Sequence, residues 1–169
     1  MWNVTPNSVA KTVSALKPLP LRPLAALVTV LAFTLAVSLL SQERVCRAPF
    51  REDTLVLTPS GQAIGVEIAD DQAEQTKGLG GRACLSKNAG MLFSFDRPGN
   101  YSFWMKGMRF NIDIVWLDTD RRVVGVKRNL SPASYPKTYD SPKPAQYVLE
   151  LPAGQAAELG LKEGASVTF

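Results

Sequence analysis

The chain has 169 residues, of which 46% are hydrophobic and 20% are charged, and its formal net charge is +4 at pH 7. It contains no histidine and only two cysteines, Cys46 and Cys84. The lack of histidine excludes histidine-dependent catalytic triads and removes the commonest transition-metal ligand. The length suits one domain of ordinary size plus an additional segment.

The first element in chain order is an apolar run without charges at residues 24–40. A run of this length can cross a bilayer as a helix. Lys11, Lys17 and Arg22 precede it, so the positive-inside bias places the N-terminus in the cytoplasm. We therefore predict a disordered cytoplasmic tail at residues 1–23, followed by a single-pass anchor whose partner is the lipid bilayer of the cytoplasmic membrane.

A cleaved signal peptide is the alternative interpretation of the same run. Ala36-Val37-Ser38 offers small residues of the kind found at cleavage sites, and cleavage would release the remainder as a secreted protein. In both cases the residues after the run lie outside the cytoplasm.

The charge of the exported part differs from that of the whole chain. Three of the 19 basic residues precede the apolar run, whereas all 15 acidic residues follow it. The exported part is therefore almost neutral. Since nucleic-acid binding requires a clustered basic face, we expect no nucleic-acid partner.

The two cysteines lie in the part predicted to be exported, where disulfides can form. A bridge between Cys46 and Cys84 is one possibility. Two unpaired thiols are the interpretation we favour from the sequence alone.

After a linker at residues 41–53, residues 54–169 have the pattern of a mostly β domain. Short runs of β-forming residues alternate with turn residues, and acidic and glycine residues bound two short helices. The predicted strands are 54–57, 63–68, 90–95, one strand or a pair of strands within 101–118, 123–126, 147–151 and 165–169. The predicted helices are 70–78 and 153–159. A proline-rich loop is expected at 131–144. This pattern predicts an antiparallel sandwich or barrel with two short helices.

Residues 108–117 alternate cleanly between two sets of side chains. Met108, Ile112 and Trp116 belong to one face, whereas Arg109, Asn111 and Asp113 belong to the other. The first set predicts core packing.

Several motifs occur in an order that resembles the prokaryotic family known as domain of unknown function 192. They are Thr76-Lys-Gly-Leu79, Gly90-Met-Leu-Phe93, Phe103-Trp-Met-Lys106, Asp113-Ile114 and Tyr147-Val-Leu-Glu-Leu-Pro-Ala-Gly154. The resemblance covers residues 54–169 and implies a compact, mostly antiparallel, jelly-roll-like domain that is often exported. It implies no established activity.

The chain departs from the family pattern at three places. It has Gly80 where the family usually has methionine, Gly107-Met108 where it has Asn-Thr, and Asn111 where it has proline. These departures indicate that any ligand contact made by the usual residues is changed here.

The candidate site combines an aromatic residue with four polar ones: Trp104, Lys106, Arg109, Asn111 and Asp113. Three interpretations remain open. The polar residues could point into solvent from one face of the sheet. They could line a groove that binds a small molecule or a protein, which is the function we predict for this membrane-tethered domain. Lys106 and Asp113 could also perform acid–base catalysis in a pocket walled by Trp104. A purely structural assembly factor is a further alternative.

No metal or cofactor site is expected. Asp118 and Asp120 suit a hairpin turn, and the residues that follow them are basic rather than oxygen ligands for calcium. Cys84 and Ser86 have no histidine partner for nucleophilic catalysis.

Overall fold

The computed structural model describes residue 46 and residues 48–169 of the chain. These residues belong to one compact unit, Val45–Phe169. The predicted tail at 1–23, the predicted anchor at 24–40 and the first part of the predicted linker lie outside the described residues. Within residues 46 and 48–169, no helix has both the length and the apolar character needed to cross a bilayer.

The domain consists of eight strands and two short helices, in agreement with the prediction of a mostly β fold. The strands are β1 (Thr54–Leu57), β2 (Ala63–Ala69), β3 (Ala89–Gly99), β4 (Ser102–Trp104), β5 (Ile112–Leu117), β6 (Val123–Leu130), β7 (Thr138–Asp140) and β8 (Ala145–Pro152). The helices are α1 (Gln72–Lys77) and α2 (Gln155–Glu158).

Six strands form one sheet in the order β1-β2-β3-β8-β5-β6, and β4 pairs with β7 in a separate two-stranded ribbon. Five of the six strand pairs are antiparallel, in agreement with the prediction of a mostly antiparallel domain, and β2 and β3 run parallel with α1 between them. A parallel pair requires such a crossover connection, whereas a tight hairpin can join only antiparallel strands. A six-stranded sheet with a small ribbon does not confirm the jelly-roll arrangement.

The central sheet has an apolar cluster on each face. One cluster contains Val115 and Leu149 from the sheet and packs against Ala156 of α2. The other contains Ile114 and Val148 from the sheet, Leu79 of the loop after α1 and Phe103 of the ribbon. Since both faces are covered, all six residues of β5 are buried.

The predicted helix ends are confirmed for α1. The Asp71 side chain accepts a 2.7 Å hydrogen bond from the backbone N–H of Glu74, and the helix ends at Gly78. Such a cap satisfies one of the N–H groups that a first helical turn leaves without a partner.

Four predicted strands differ by several residues from the structure. The strands β3 and β6 continue to Gly99 and Leu130, four residues beyond their predicted ends. β5 begins at Ile112 rather than at residue 108, because Gly107, with a φ of +70°, lies in a turn that precedes it. The predicted strand at 165–169 makes only isolated bridges, through Ser166 and Thr168. The proline-rich loop contains a 3-10 turn and β7, which supplies the partner strand of β4.

Cys46 and Cys84 form a disulfide with a Cα–Cα distance of 5.7 Å, so the expectation of two unpaired thiols is wrong. The bridge joins the segment ahead of β1 to the loop that follows α1. Their proximity depends on the tertiary fold, since 38 residues separate the two cysteines.

Candidate functional site

The five side chains selected from the sequence do not form one cluster. Trp104, at the end of β4, is 47% exposed, and the Lys106 ammonium lies 5.8 Å from its ring centroid. Both residues line a cavity beside α1. Arg109 and Asn111 are exposed and do not line this cavity. The Asn111 amide donates to the Asn129 side chain at 2.8 Å.

Asp113 has a structural role that the sequence interpretation missed. Its side chain is fully buried, and its Oδ1 accepts a hydrogen bond from the backbone N–H of Asn129 at 2.8 Å. Its Oδ2 accepts from the N–H groups of Gly154 at 2.9 Å and Ala156 at 3.0 Å. The carboxyl therefore caps the start of α2 from a neighbouring strand.

This environment corrects two predictions for Asp113. The residue does not point into solvent, because the face of β5 that carries it is covered by α2 and its surrounding cluster. It does not line the cavity that Trp104 and Lys106 share. The proposed pairing of Lys106 with Asp113 in one pocket is therefore absent from the described part of the chain.

The cavity beside α1 has a volume of about 280 Å³. Five of its 16 lining residues are aromatic, and their rings come from β3, β4 and the residue just before β4. They belong to Phe93, Phe95, Tyr101, Phe103 and Trp104. Concave, apolar sites with a few polar groups are the usual form of small-molecule sites.

The aromatic rings pack against one another. The Phe93 and Phe103 rings meet edge to face with their centroids 5.0 Å apart, and the Phe95 and Tyr101 rings are stacked. Edge-to-face and stacked pairs are favourable arrangements of aromatic quadrupoles. The wall of the cavity is therefore preformed rather than assembled from independent flexible side chains.

Glu150 of β8 lies at the inner end of this cavity. It is 4% exposed, and its Oε2 atom makes no hydrogen bond within the described residues. Burial raises the pKa of its carboxyl to about 8, although the backbone N–H of Leu79 favours the charged form. The carboxyl is thus mostly protonated at neutral pH.

The backbone at Gly78, at the end of α1, lies close to the side chain of Glu150. A Cβ atom at Gly78 would lie 3.7 Å from Oε2 of Glu150 and 3.3 Å from the Phe93 ring. Gly78 also has a φ of +49°, which non-glycine residues rarely adopt. This position therefore requires glycine.

The sequence interpretation did not identify Glu150. The available indication was a single acidic residue in the apolar run of 147–151, on a strand predicted to be part of the core. Val148 and Glu150 share one face of β8, as the twofold period of a strand requires. An acid on a core face without a predicted partner was the indication of a site.

A second, charged cavity of about 210 Å³ shares Lys77 and Gly78 with the first. In it, Arg82 forms a salt bridge with Glu67, with contacts of 2.7 Å and 2.5 Å. Burial acts to raise the pKa of Glu67, but the hydrogen bonds from Arg82 and from the backbone N–H of Arg51 lower it below its ordinary value. These charged groups already have partners, so this cavity is less suited to a ligand than the first.

Across residues 46 and 48–169, no group of three or more potential metal-ligating side chains comes together.

Residues 55–169 match the model of the family DUF192, described as an uncharacterized ACR. A UPF0127 protein of Thermococcus kodakarensis is 33% identical over 108 residues, which cover 62% of this chain and 64% of that protein. The chain thus spans just under two thirds of that relative's length.

Two solved structures have a similar fold. A crystal structure of a protein of unknown function from Novosphingobium aromaticivorans has a TM-score of 0.64 and 31% identity, over 72% of this chain and 92% of that one. A candidate transcription regulator from Sinorhizobium meliloti has a TM-score of 0.63 and 30% identity, over 75% and 96% of the two chains. The mostly β architecture is therefore shared with these proteins.

Proposed function

Since this chain belongs to the DUF192 family, whose function is not established, we propose from its own geometry that its β domain is a ligand-binding module. The binding site is the aromatic cavity above Glu150. The observation that carries this proposal is the side chain of Glu150, which lines the cavity and whose buried Oε2 atom has no hydrogen-bond partner among the described residues.

An unsatisfied buried polar atom has an energetic cost, because it has lost its hydrogen bonds to water without gaining others. A ligand that completes this hydrogen bond removes the cost and gains contact with the aromatic wall. The site thus has both features that small-molecule recognition needs, an apolar surface and a polar group that fixes orientation.

The experiment is a screen of small aromatic and aliphatic fragments. Binding is detected as a change in tryptophan fluorescence, because Trp104 lies at the cavity wall. A matched pair of variants on α1 tests the location. Thr76 lines the cavity and Ala73 does not, and both are exposed. Thr76→Phe should abolish the fluorescence response, whereas Ala73→Phe should retain it. Equal responses in both variants would place binding elsewhere.

Catalysis by Lys106 and Asp113 has no support from the geometry, because Asp113 is committed to three backbone N–H groups. A binding function requires only Glu150 and the aromatic wall. No specific contact favours a purely structural assembly role.

The membrane tether is a second part of the proposal. It is supported by the uncharged run at 24–40, by the basic residues that precede it, and by the Cys46–Cys84 disulfide, which suits an oxidising compartment outside the cytoplasm. In this proposal the ligand site operates on the extracytoplasmic side of the membrane.

Fractionation tests the tether. The protein should remain in the membrane pellet after alkaline carbonate washing, and deletion of residues 24–40 should move it to the soluble fraction. The mass of the isolated protein distinguishes an intact anchor from a cleaved signal peptide. A mass that lacks residues 1–38 would support secretion instead.

A further inference from the structure

The inner end of the cavity determines which polar group a ligand must present to Glu150. None of the ion pairs among the described residues includes Glu150. An isolated buried carboxylate is strongly unfavourable, so such a group is held in its neutral, protonated form. A neutral carboxyl with a free oxygen can donate a hydrogen bond, and its complement is an acceptor such as a carbonyl oxygen.

The middle of the cavity determines the shape of the ligand. Its volume of about 280 Å³ equals roughly nine water-sized volumes of ~30 Å³, which is room for one substituted ring or a short branched alkyl group. The stacked pair Phe95–Tyr101 has nearly parallel, flat ring surfaces, whereas the Phe93 and Phe103 rings are perpendicular to each other. A planar ring contacts such surfaces more completely than an extended polar chain does.

The mouth of the cavity carries positive charge. Lys77 at the end of α1 and Lys106 after β4 both line it, and both are exposed. Glu150 is the only acidic residue among the described side chains that line the cavity. The surroundings therefore favour an anionic group at the mouth and disfavour a cation.

This charge distribution separates two ligand classes. Aromatic rings together with a carboxyl can form a cage for an ammonium group. An ammonium would here have to enter past two lysines and ionise a carboxyl that burial keeps neutral. A neutral acceptor group has neither cost.

We propose that the cavity binds a small, planar carbonyl compound whose carbonyl oxygen accepts a hydrogen bond from Glu150 and whose anionic group lies at the mouth near Lys77 and Lys106. This inference rests on the proposed ligand-binding function and specifies its ligand class.

Three matched probes test the proposal by calorimetric titration of the 169-residue chain. Benzamide presents the carbonyl alone, 4-carbamoylbenzoate adds the anionic group, and benzylammonium replaces the carbonyl with a cation. We expect 4-carbamoylbenzoate to bind about fivefold tighter than benzamide, the upper range for one exposed charge pair. Benzylammonium should show no saturation.

Two lysine substitutions, one at the cavity and one outside it, test where the anionic group of the ligand lies. Lys106→Gln should remove most of the difference between 4-carbamoylbenzoate and benzamide. Lys162→Gln, an exposed substitution outside the cavity, should preserve it. Equal effects of both substitutions would overturn the assignment of the anionic group to this mouth.

Glu150→Gln tests the hydrogen bond, because its amide retains an N–H donor but cannot ionise. Its affinity for benzamide at about pH 7 is the starting value of its own pH series. Between about pH 7 and pH 9 the affinity of the native protein should fall about tenfold, as the pKa of about 8 implies, whereas Glu150→Gln should not change. The other titratable groups lining the cavity, Lys77, Tyr101 and Lys106, are common to both proteins.

The outcomes separate this inference from the function on which it rests. If benzylammonium binds best and Glu150→Gln abolishes its binding, the cavity is an ammonium site, so the ligand class is wrong and the binding function stands. If only other fragments of the screen bind at the Thr76-sensitive site, the same conclusion holds. If no compound binds there, both proposals fail.

Discussion

Two buried carboxyl groups on adjacent strands have opposite surroundings. Asp113 of β5 and Glu150 of β8 lie one pair apart in register, since Asp113 is opposite Leu151 and Ile114 is opposite Glu150. They project from opposite faces of the sheet. Asp113 accepts three backbone hydrogen bonds, whereas Oε2 of Glu150 accepts none from the described residues. The first carboxyl caps α2, and the second lines the cavity for which a ligand is proposed.

The raised pKa of Glu150 predicts a pH-dependent stability. The carboxyl has a pKa of about 8 when folded and an ordinary value of 4.5, so the folded state holds the proton more tightly. The stability that the protonated Glu150 carboxyl gives the folded state is fully present below about pH 4.5 and is lost as pH rises through 8. Glu150→Gln cannot ionise and should exceed the native protein in unfolding free energy by about 3–5 kcal/mol at pH 9, with little difference at pH 4. Urea unfolding at several pH values measures this.

Glu163→Gln is the control for that experiment. The exposed Glu163 carboxyl pairs with Lys143, which holds its pKa below the ordinary value. Its removal should therefore give no gain in stability as pH rises. A parallel, pH-independent shift in Glu150→Gln would contradict the assignment of a raised pKa.

At the residue scale the sequence predicted part of the site. Trp104 and Lys106 do line the cavity, because the short strand β4 brings them to its wall. The burial of Asp113 was not predicted and Glu150 was not identified, both for one reason. When both faces of a sheet are covered, alternation identifies which residues share a face but does not reveal which face meets solvent. That information comes from α2, α1 and the ribbon, which pack on the sheet from elsewhere in the chain.

At the scale of elements, two of the residues that depart from the family pattern meet at the turn between β4 and β5. Gly80 and Gly107 lie against each other, since a Cβ atom at Gly107 would be 3.8 Å from the Cα of Gly80. The N–H of Gly81 also donates to the carbonyl of Gly107 at 2.8 Å. The two glycines are far apart in the sequence but neighbours in the structure, and they lie beside the cavity that Gly80 lines.

Gly107 supplies a prediction for this turn. Its φ of +70° is the left-handed region, and the space around a Cβ atom is adequate. Gly107→Ala should therefore cost about 1 kcal/mol from backbone strain alone. Gly107→Asn should cost less, because asparagine tolerates this conformation. Thermal unfolding of the two variants measures the difference, and an equal or larger loss for asparagine would point to a steric cause.

Asp113 supplies a prediction for α2, whose own N-cap residue, Gly154, has no capping side chain. Asp113→Asn preserves the size of the side chain but replaces one acceptor oxygen with a donor that faces N–H groups. We expect a loss of about 2–4 kcal/mol in unfolding free energy. The same change at the exposed Asp120 should cost less than about 0.5 kcal/mol. Similar losses at both positions in urea unfolding would exclude the capping role.

The elements themselves were predicted unevenly. The helix α1 and the first strands were identified because their caps, turns and apolar runs are local. The ribbon was missed, because β7 is three residues within a proline-rich loop and its pairing with β4 is a long-range contact. The parallel pairing of β2 and β3 likewise depends on the path of the chain through α1.

At the scale of the whole molecule, the disulfide connects the segment that precedes β1 to the loop that follows α1. Cys84 follows Leu79 and Gly80, which line the cavity, and its partner Cys46 lies ahead of β1. If residues 24–40 anchor the chain in a membrane, the bridge forms a second covalent connection between the residues that follow the anchor and the loop after α1.

Replacing both Cys46 and Cys84 with serine tests the disulfide and its contribution to stability. The bridge closes a loop of 38 residues, and its loss should lower the unfolding free energy by about 4 kcal/mol, because the unfolded chain gains conformational freedom. Thiol titration of the unfolded native protein should detect no free thiol until a reductant is added. Membrane retention should be unaffected in the double variant, since the bridge lies outside residues 24–40. Unchanged stability, or free thiols without reductant, would show that the bridge does not form, and the support it gives to an extracytoplasmic location would then be lost.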